Sequence, residues 1–242
     1  MKMMDVDIFI PCFIDQLYPE TGFNLVKLLE KAGCISHYNE HQTCCGQPAF
    51  NGGFQAESQR VAEKFLRDFS GDRPIVIPSA SCTGFIWNHY EQMFENSSQH
   101  NHWKKLKSRV VEVTDFLVNH LNISDFGASL EGIATYHDSC TAQREINLKN
   151  EPRLLLSKVK GLSLHEMEET DVCCGFGGTF AAKFEPISAA MGKNKVEFAV
   201  ATGADYLISS DLSCLLHLDS IARKQKLLIK TMHLVDVLVQ GW

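Results

Sequence analysis

The sequence has no apolar run approaching the ~20 residues that a membrane-crossing helix needs. Its first residues, "MKMMDVDIFIPCF", set acids and a proline where the unbroken apolar stretch of a secretory signal would lie. A cytoplasmic protein is the expectation. Basic clustering is also scarce: 23 Lys and Arg against 29 Asp and Glu give a net charge of -6. The nearest approach to a basic block, "HWKKLKSR" (102–109), reads as a solvated face ahead of a strand, so nucleic acid is not an expected partner. No Gly-x-Gly-x-x-Gly fingerprint occurs, because "CGFGG" lacks its second half, and none of the ten histidines is taken as a metal ligand. Neither a flavin nor a nicotinamide has a recognisable seat.

Cysteine, in contrast, is abundant, with nine in 242 residues. In a reducing compartment such a count points to metal binding or redox chemistry rather than to a disulfide scaffold. Cys34, isolated at the end of an expected helix, reads as a small buried hydrophobe. The other eight fall into register. Cys12 and Cys140 are 128 positions apart, Cys44 and Cys173 are 129, and Cys82 and Cys214 are 132, with Cys45 and Cys174 completing two vicinal pairs. The match extends beyond sulfur: "IFIPC" answers "ATYHDSC", "IVIPSASC" answers "YLISSDLSC", and "RVVEVTDFLVNHL" answers "LLIKTMHLVDVLV". The chain is two copies of one unit. The polar, aperiodic "NISDFGASLEG" (122–132) is the expected handover, giving units 1–125 and 126–242.

Each copy alternates short apolar runs with amphipathic stretches. In the first, "DIFIPC" and "PIVIPS" read as strands, "ETGFNLVKLLEKAG" as a helix closed by Gly33, and "FQAESQRVAEKFLRDF" as a helix with Phe54, Val61, Phe65 and Phe69 on one face. The second copy offers strands at "GIATYH" and "DYLIS", a helix around "EPRLLLSKVKG" and a long helix from about Phe180 to Ala201. The expected fold is α/β, two pseudo-symmetric lobes, each a mostly parallel sheet flanked by helices. Cys12, Cys82, Cys140 and Cys214 then lie just past the carboxyl ends of strands, where ligands of open sheets collect.

Adjacent residues on a strand point to opposite faces, so a Cys-Cys pair can aim both sulfurs at one centre only if the backbone turns there. Gly46 and Gly175 supply positive φ for that turn, and Gly52, Gly53, Gly177 and Gly178 are expected to let backbone amides approach a bulky anion. The candidate cofactor and metal ligands are Cys12, Cys44, Cys45 and Cys82 in one site, and Cys140, Cys173, Cys174 and Cys214 in the other. Four thiolates suit zinc or an iron–sulfur cluster. Ligands drawn from three separate loops, including a vicinal pair, favour a multi-atom cluster over zinc; a thiol or vicinal-disulfide redox pair and plain buried cysteine stay open.

The pattern Cys-x31-Cys-Cys-Gly-x35-Cys in the first copy, answered by Cys-x32-Cys-Cys-Gly-x38-Cys in the second, resembles the cysteine-rich "CCG" domain found in heterodisulfide reductases, in the iron–sulfur subunit of glycolate oxidase and in anaerobic glycerol-3-phosphate dehydrogenases. With "PSASCTG" in the first copy and "YHDSC" opening the second, nearly the whole chain is similar to the lactate utilization protein A family of bacterial L-lactate oxidation. The resemblance implies an iron–sulfur electron-transfer subunit, one cluster of [4Fe-4S] type per unit, and partner subunits of the lactate utilization protein B and C types. The fullest form of the motif ends in Cys-x-x-Cys, whereas Ser79 and Asp211 stand here at the first of those positions. They read as oxygen ligands, as hydrogen-bond partners of the ligands, or as caps of the following helices. His137, Asp138, Arg144 and Glu145 offer a second polar group, for which a strand end with local hydrogen bonds is the favoured reading over proton transfer or carboxylate binding. The rival function is a thiol or disulfide reductase acting through Cys173 and Cys174; a zinc-stabilised interaction module is a third.

Overall fold

The computed structural model describes residues 3–242. Two four-stranded sheets, all parallel, carry the same order. In the first lobe β1 (Met4–Ile8), β2 (Cys34–Tyr38), β3 (Ile75–Ile77) and β4 (Val110–Glu112) run in the order β2-β1-β3-β4. In the second, β5 (Ser129–Tyr136), β6 (Lys160–Leu164), β7 (Tyr206–Ser209) and β8 (Lys230–His233) run β6-β5-β7-β8. This is the α/β, two-lobe architecture expected from the repeat. Among the described residues no helix is long and apolar enough to cross a membrane.

Parallel strands need crossover connections, and their carboxyl ends share one edge of the sheet. In each lobe the chain leaves the first strand to one side and then returns to its other side, so the switch points lie between β1 and β3 and between β5 and β7. Crevices at such points are where open sheets hold ligands. Cys12 follows β1, Cys82 follows β3, Cys140 follows β5 and Cys214 follows β7.

One hydrophobic core runs through both lobes, joining Val6, Ile8, Leu25 and Leu28 to Leu207, Leu215, Leu234 and Leu238. Asp236 ties the lobes at the surface of this core, accepting from Thr21 Oγ1 at 2.8 Å and Asn24 Nδ2 at 2.9 Å. The Ala80–Phe94 and Cys140–Ile146 helices pack across the lobes as well. Gly84 permits that approach, since a Cβ there would stand 2.4 Å from Thr141 Cγ2. A second, aromatic core belongs to the first lobe alone, where Phe9 meets Phe65 edge-on at 5.0 Å and Tyr90 packs on Trp103.

Several local expectations need correction. The strands β2 and β6 are additions to the expected set, because "CISHY" and "KGLSL" are short and half exposed at the sheet edges. Cys34 opens β2 rather than ending a helix, although it is fully buried, as a small hydrophobe should be. Phe54 precedes the Gln55–Asp68 helix and is exposed; the buried face is Ser58, Ala62, Phe65 and Leu66. The helix expected from Phe180 to Ala201 is two, Thr179–Lys183 and Glu185–Ala201, because Pro186 lacks the amide that a continuous helix would require there.

Candidate metal centre

All eight cysteines of the two sets line one cavity of about 270 Å³ between the lobes, whereas Cys34 lies apart in the core. Cys12 and Cys140 open helices, and Cys82 and Cys214 sit in the first turns of the Ala80–Phe94 and Leu212–Lys224 helices. Unpaired amides at helix starts favour thiolate there. The vicinal pairs arrive from the loops after β2 and β6. Cys12 Sγ lies 3.7 Å from Cys44 Sγ, and Cys45 Sγ lies 3.4 Å from Cys82 Sγ.

The glycine after each pair has the conformation the vicinal cysteines require, with φ of 95° at Gly46 and 90° at Gly175. The turn aims an amide back at the sulfur: Gly46 N donates to Cys44 Sγ at 3.4 Å, and Gly175 N donates to Cys173 Sγ at 3.3 Å. A serine from the next long helix fixes the glycine carbonyl in both lobes, Ser58 Oγ at 3.1 Å and Ser188 Oγ at 2.7 Å. In the first lobe Tyr90 Oη also donates to the Cys45 carbonyl at 2.7 Å, anchoring the pair to the aromatic core. Of the other glycines, Gly177 and Gly178 line the cavity, but Gly52 and Gly53 do not; they terminate the Gln47–Asn51 helix.

The cysteine-rich domain CCG matches residues 6–86 and 134–219, so each matched segment encloses one four-cysteine set. A lactate utilization protein A of Halalkalibacterium halodurans is 40% identical over 235 residues, 97% of this chain and 96% of that one. The lactate utilization protein A 2 of Bacillus cereus is 37% identical over 242 residues, with coverage of 98% and 99%. The chain belongs to the lactate utilization protein A family. A crystal structure of a hypothetical protein from Helicobacter pylori shares the fold, with a TM-score of 0.66 at 12% identity; it matches 100% of this chain and 51% of its own length.

In this member of the lactate utilization protein A family the thiols within each set are unequal. The Cys44 thiol is pulled down to about 3, first by the bond from Cys12 and then by those from Cys45 and the Gly46 amide. Cys173 falls likewise to about 2, first through Cys140 and then Cys174. Their partners Cys12, Cys45, Cys140 and Cys174 are pushed up, chiefly because each donates to the thiolate beside it. Each set thus stabilises one thiolate at the expense of the two thiols that donate to it. Further ionisation needs a cation among the sulfurs in place of their protons. Close sulfurs, backbone amides aimed at them and a cavity larger than one ion occupies all fit a sulfur-ligated metal cluster.

Ser79 is a helix cap: its Oγ accepts from Cys82 N at 3.4 Å. Asp211 caps no amide of its own helix; both its oxygens are taken by serine donors, two of them on the other lobe. The group His137, Asp138, Arg144 and Glu145 does not form one site. Asp138 receives a bidentate pair from Arg153 at 2.9 and 2.8 Å, Arg144 reaches only the Asp171 carbonyl, and Glu145 faces Asn88. His137 is fully buried, with its ring beside Cys174 and Cys214. The sequence points to local hydrogen bonds for this histidine because the cysteines it meets lie far away along the chain; Ser58, Ser188 and Tyr90 escape sequence reasoning altogether. The one signal that could have pointed to the two serines is that they follow their glycines at nearly matching distances, 12 and 13 residues.

Proposed function

We propose that this chain is an iron–sulfur subunit that carries electrons in the oxidation of L-lactate to pyruvate. Cys12, Cys44, Cys45 and Cys82 hold one centre, and Cys140, Cys173, Cys174 and Cys214 the other, each of [4Fe-4S] type. The observation that carries the reading is the placement of two equivalent four-cysteine sets on one cavity, each with a glycine amide directed at a sulfur. Bound there, such clusters accept and release single electrons at nearly fixed geometry. The protein's own residues hold the sulfurs, direct amides at them and bury them in part. Lactate oxidation releases two electrons and two protons, and no hydride-accepting cofactor site is recognisable in the sequence. The chain works with further subunits of the lactate utilization protein B and C types, which supply that step, and we place it in the cytoplasm. Residues 1–125 and 126–242 form its two units. The names of the relatives support the pathway, and the donor set supports the cofactor.

A second reading, a thiol or disulfide reductase, is favoured by one observation, the strongly lowered thiol of Cys173, because a thiolate is the attacking species in exchange. Anaerobic purification decides between them. Brown protein with iron and acid-labile sulfide near stoichiometric for two clusters supports the proposal. Colourless protein whose thiols all titrate overturns it in favour of the reductase, and colourless protein holding zinc favours an interaction module.

A further inference from the structure

The two lobes differ at one position beside the sulfurs. Phe9 and His137 each stand three residues before the first cysteine of their set, and their backbones do the same work: Phe9 N donates to Val76 O at 3.1 Å, and His137 N to Ile208 O at 2.8 Å. The Phe9 ring enters the aromatic core against Phe65 and Phe69. The imidazole of His137 instead lies where one of its nitrogens and the sulfurs of Cys174 and Cys214 are all within 4.8 Å of one another, with all three residues buried.

Neither ring nitrogen of His137 has a hydrogen-bond partner, although the residue is 0% exposed. Buried polar atoms are nearly always satisfied, so an imidazole with two orphaned nitrogens marks a place where a partner binds. The residue is also held in place. Its carbonyl accepts from Ser209 Oγ at 2.9 Å, and the adjoining Asp138 is clamped by Arg153, which also grips Glu166. Neutral imidazole is a common ligand of iron and zinc, and it can complement cysteine thiolates at an iron–sulfur centre.

We propose that His137 is a nitrogen ligand of the second centre, which is therefore a mixed thiolate–imidazole site, while the first is thiolate only. The inference rests on the metal-binding reading above. A nitrogen donor added beside the thiolates of one set makes the two donor sets unlike, so the two centres differ in potential.

The test is pulsed electron paramagnetic resonance on the reduced, iron-loaded full chain, made with natural histidine and with histidine carrying ¹⁵N in its ring. The expected result is a strong ring-nitrogen coupling that changes with the label and is absent from His137→Phe, the residue the first lobe carries. His137→Gln, which keeps polar atoms at the position, should also lose it. If one variant does not fold, the other decides together with the labelled wild type. Iron-loaded protein without a label-sensitive coupling overturns the ligand assignment and leaves the cluster reading standing; so does a coupling that survives in His137→Phe. If the protein holds zinc instead, the cluster reading fails, and imidazole scattering at the zinc absorption edge, present or absent, still decides the role of His137. Metal-free protein overturns both.

Discussion

Asp211, on the second lobe, accepts hydrogen bonds from both the backbone amide and the hydroxyl of Ser81 on the first, each at 3.0 Å. Ser81 belongs to the first turn of the Ala80–Phe94 helix, whose next amide, that of Cys82, is taken by Ser79. A helix start that carries a cysteine of one set is therefore capped by one oxygen from each lobe. The two sets are coupled through this contact as well as through the cavity they share.

Removing the carboxylate should cost stability and spare the metal. In Asp211→Ala, Ser81 N, Ser81 Oγ and Ser213 Oγ lose their common acceptor in a buried place, a destabilisation of about 1–3 kcal/mol in denaturant unfolding. Asp211→Asn keeps one acceptor oxygen and should lose less. Ser79→Ala removes a helix cap and should cost about 1 kcal/mol. Iron content should hold in all three. Iron lost from Asp211→Ala with its stability unchanged would mean that the carboxylate is itself a ligand.

The two glycine turns should differ in tolerance. At Gly175 a Cβ would stand 2.6 Å from the Ser188 carbonyl oxygen and 2.8 Å from Met191 Cβ, whereas at Gly46 the nearest atoms, of Ser58, lie at 3.2 Å. Both positions have positive φ, which alone costs a β-branched residue about 1–3 kcal/mol. Gly175→Val should therefore empty the second site nearly as fully as loss of a cysteine, and Gly46→Ala should be milder than Gly175→Ala. Iron per chain measures both. Full occupancy in Gly175→Val would refute the argument that the turn aims the amide and the sulfurs.

Much of this arrangement was legible because it is written twice. The spacing of cysteines and the glycine after each vicinal pair carry local constraints, positive φ and strand-to-helix turns, that depend on few neighbours. Two of the edge strands were not legible: β2 and β6 pair on one side only and are half exposed, so neither shows the near-continuous apolar run of a central parallel strand. The roles of His137 and Asp211 were not legible for another reason. Their chemistry depends on partners far off in sequence, Cys214 for the one and Ser81 for the other, and no local pattern announces such a meeting. The repeat hides them too, since each breaks it: Phe9 stands where His137 does, and Ser79 where Asp211 does.

Glu112 should make stability depend on pH in a direction opposite to that of a paired carboxylate. It is buried at the end of β4, with Oε2 accepting from Thr114 and Oε1 unpartnered, and burial raises its titration from 4.5 to about 8. Between those values the folded chain keeps a proton that the unfolded chain has released, so stability present below pH 4.5 is lost as pH rises towards 8. Glu112→Gln mimics the protonated acid and cannot ionise. It should flatten this slope and be more stable than wild type at pH 8.5 by about 1–3 kcal/mol, a tenfold difference in proton affinity between folded and unfolded chain being worth about 1.4 kcal/mol. Parallel slopes for the two proteins would show that Glu112 is ionised in the fold.

Cys173→Ser and Cys44→Ser together test how the shared cavity is divided. Each removes the sulfur that accepts the glycine amide in one set and touches nothing in the other. With one centre per set, each single variant should lose about half of the iron, and the double variant nearly all. With a single cluster bridging both sets, which a cavity lined by all eight cysteines makes geometrically conceivable, either single variant should lose nearly all of it. With a redox pair in place of a cluster, Cys173→Ser should abolish disulfide exchange and leave metal content as it was, because exchange needs both thiols and no metal. The three outcomes differ in iron per chain: half, none, and no change. Since Cys173 and Cys44 occupy equivalent places beside Gly175 and Gly46, equal losses from the two variants are expected, and a loss confined to one of them would mean that one lobe has kept the cysteines without the cluster.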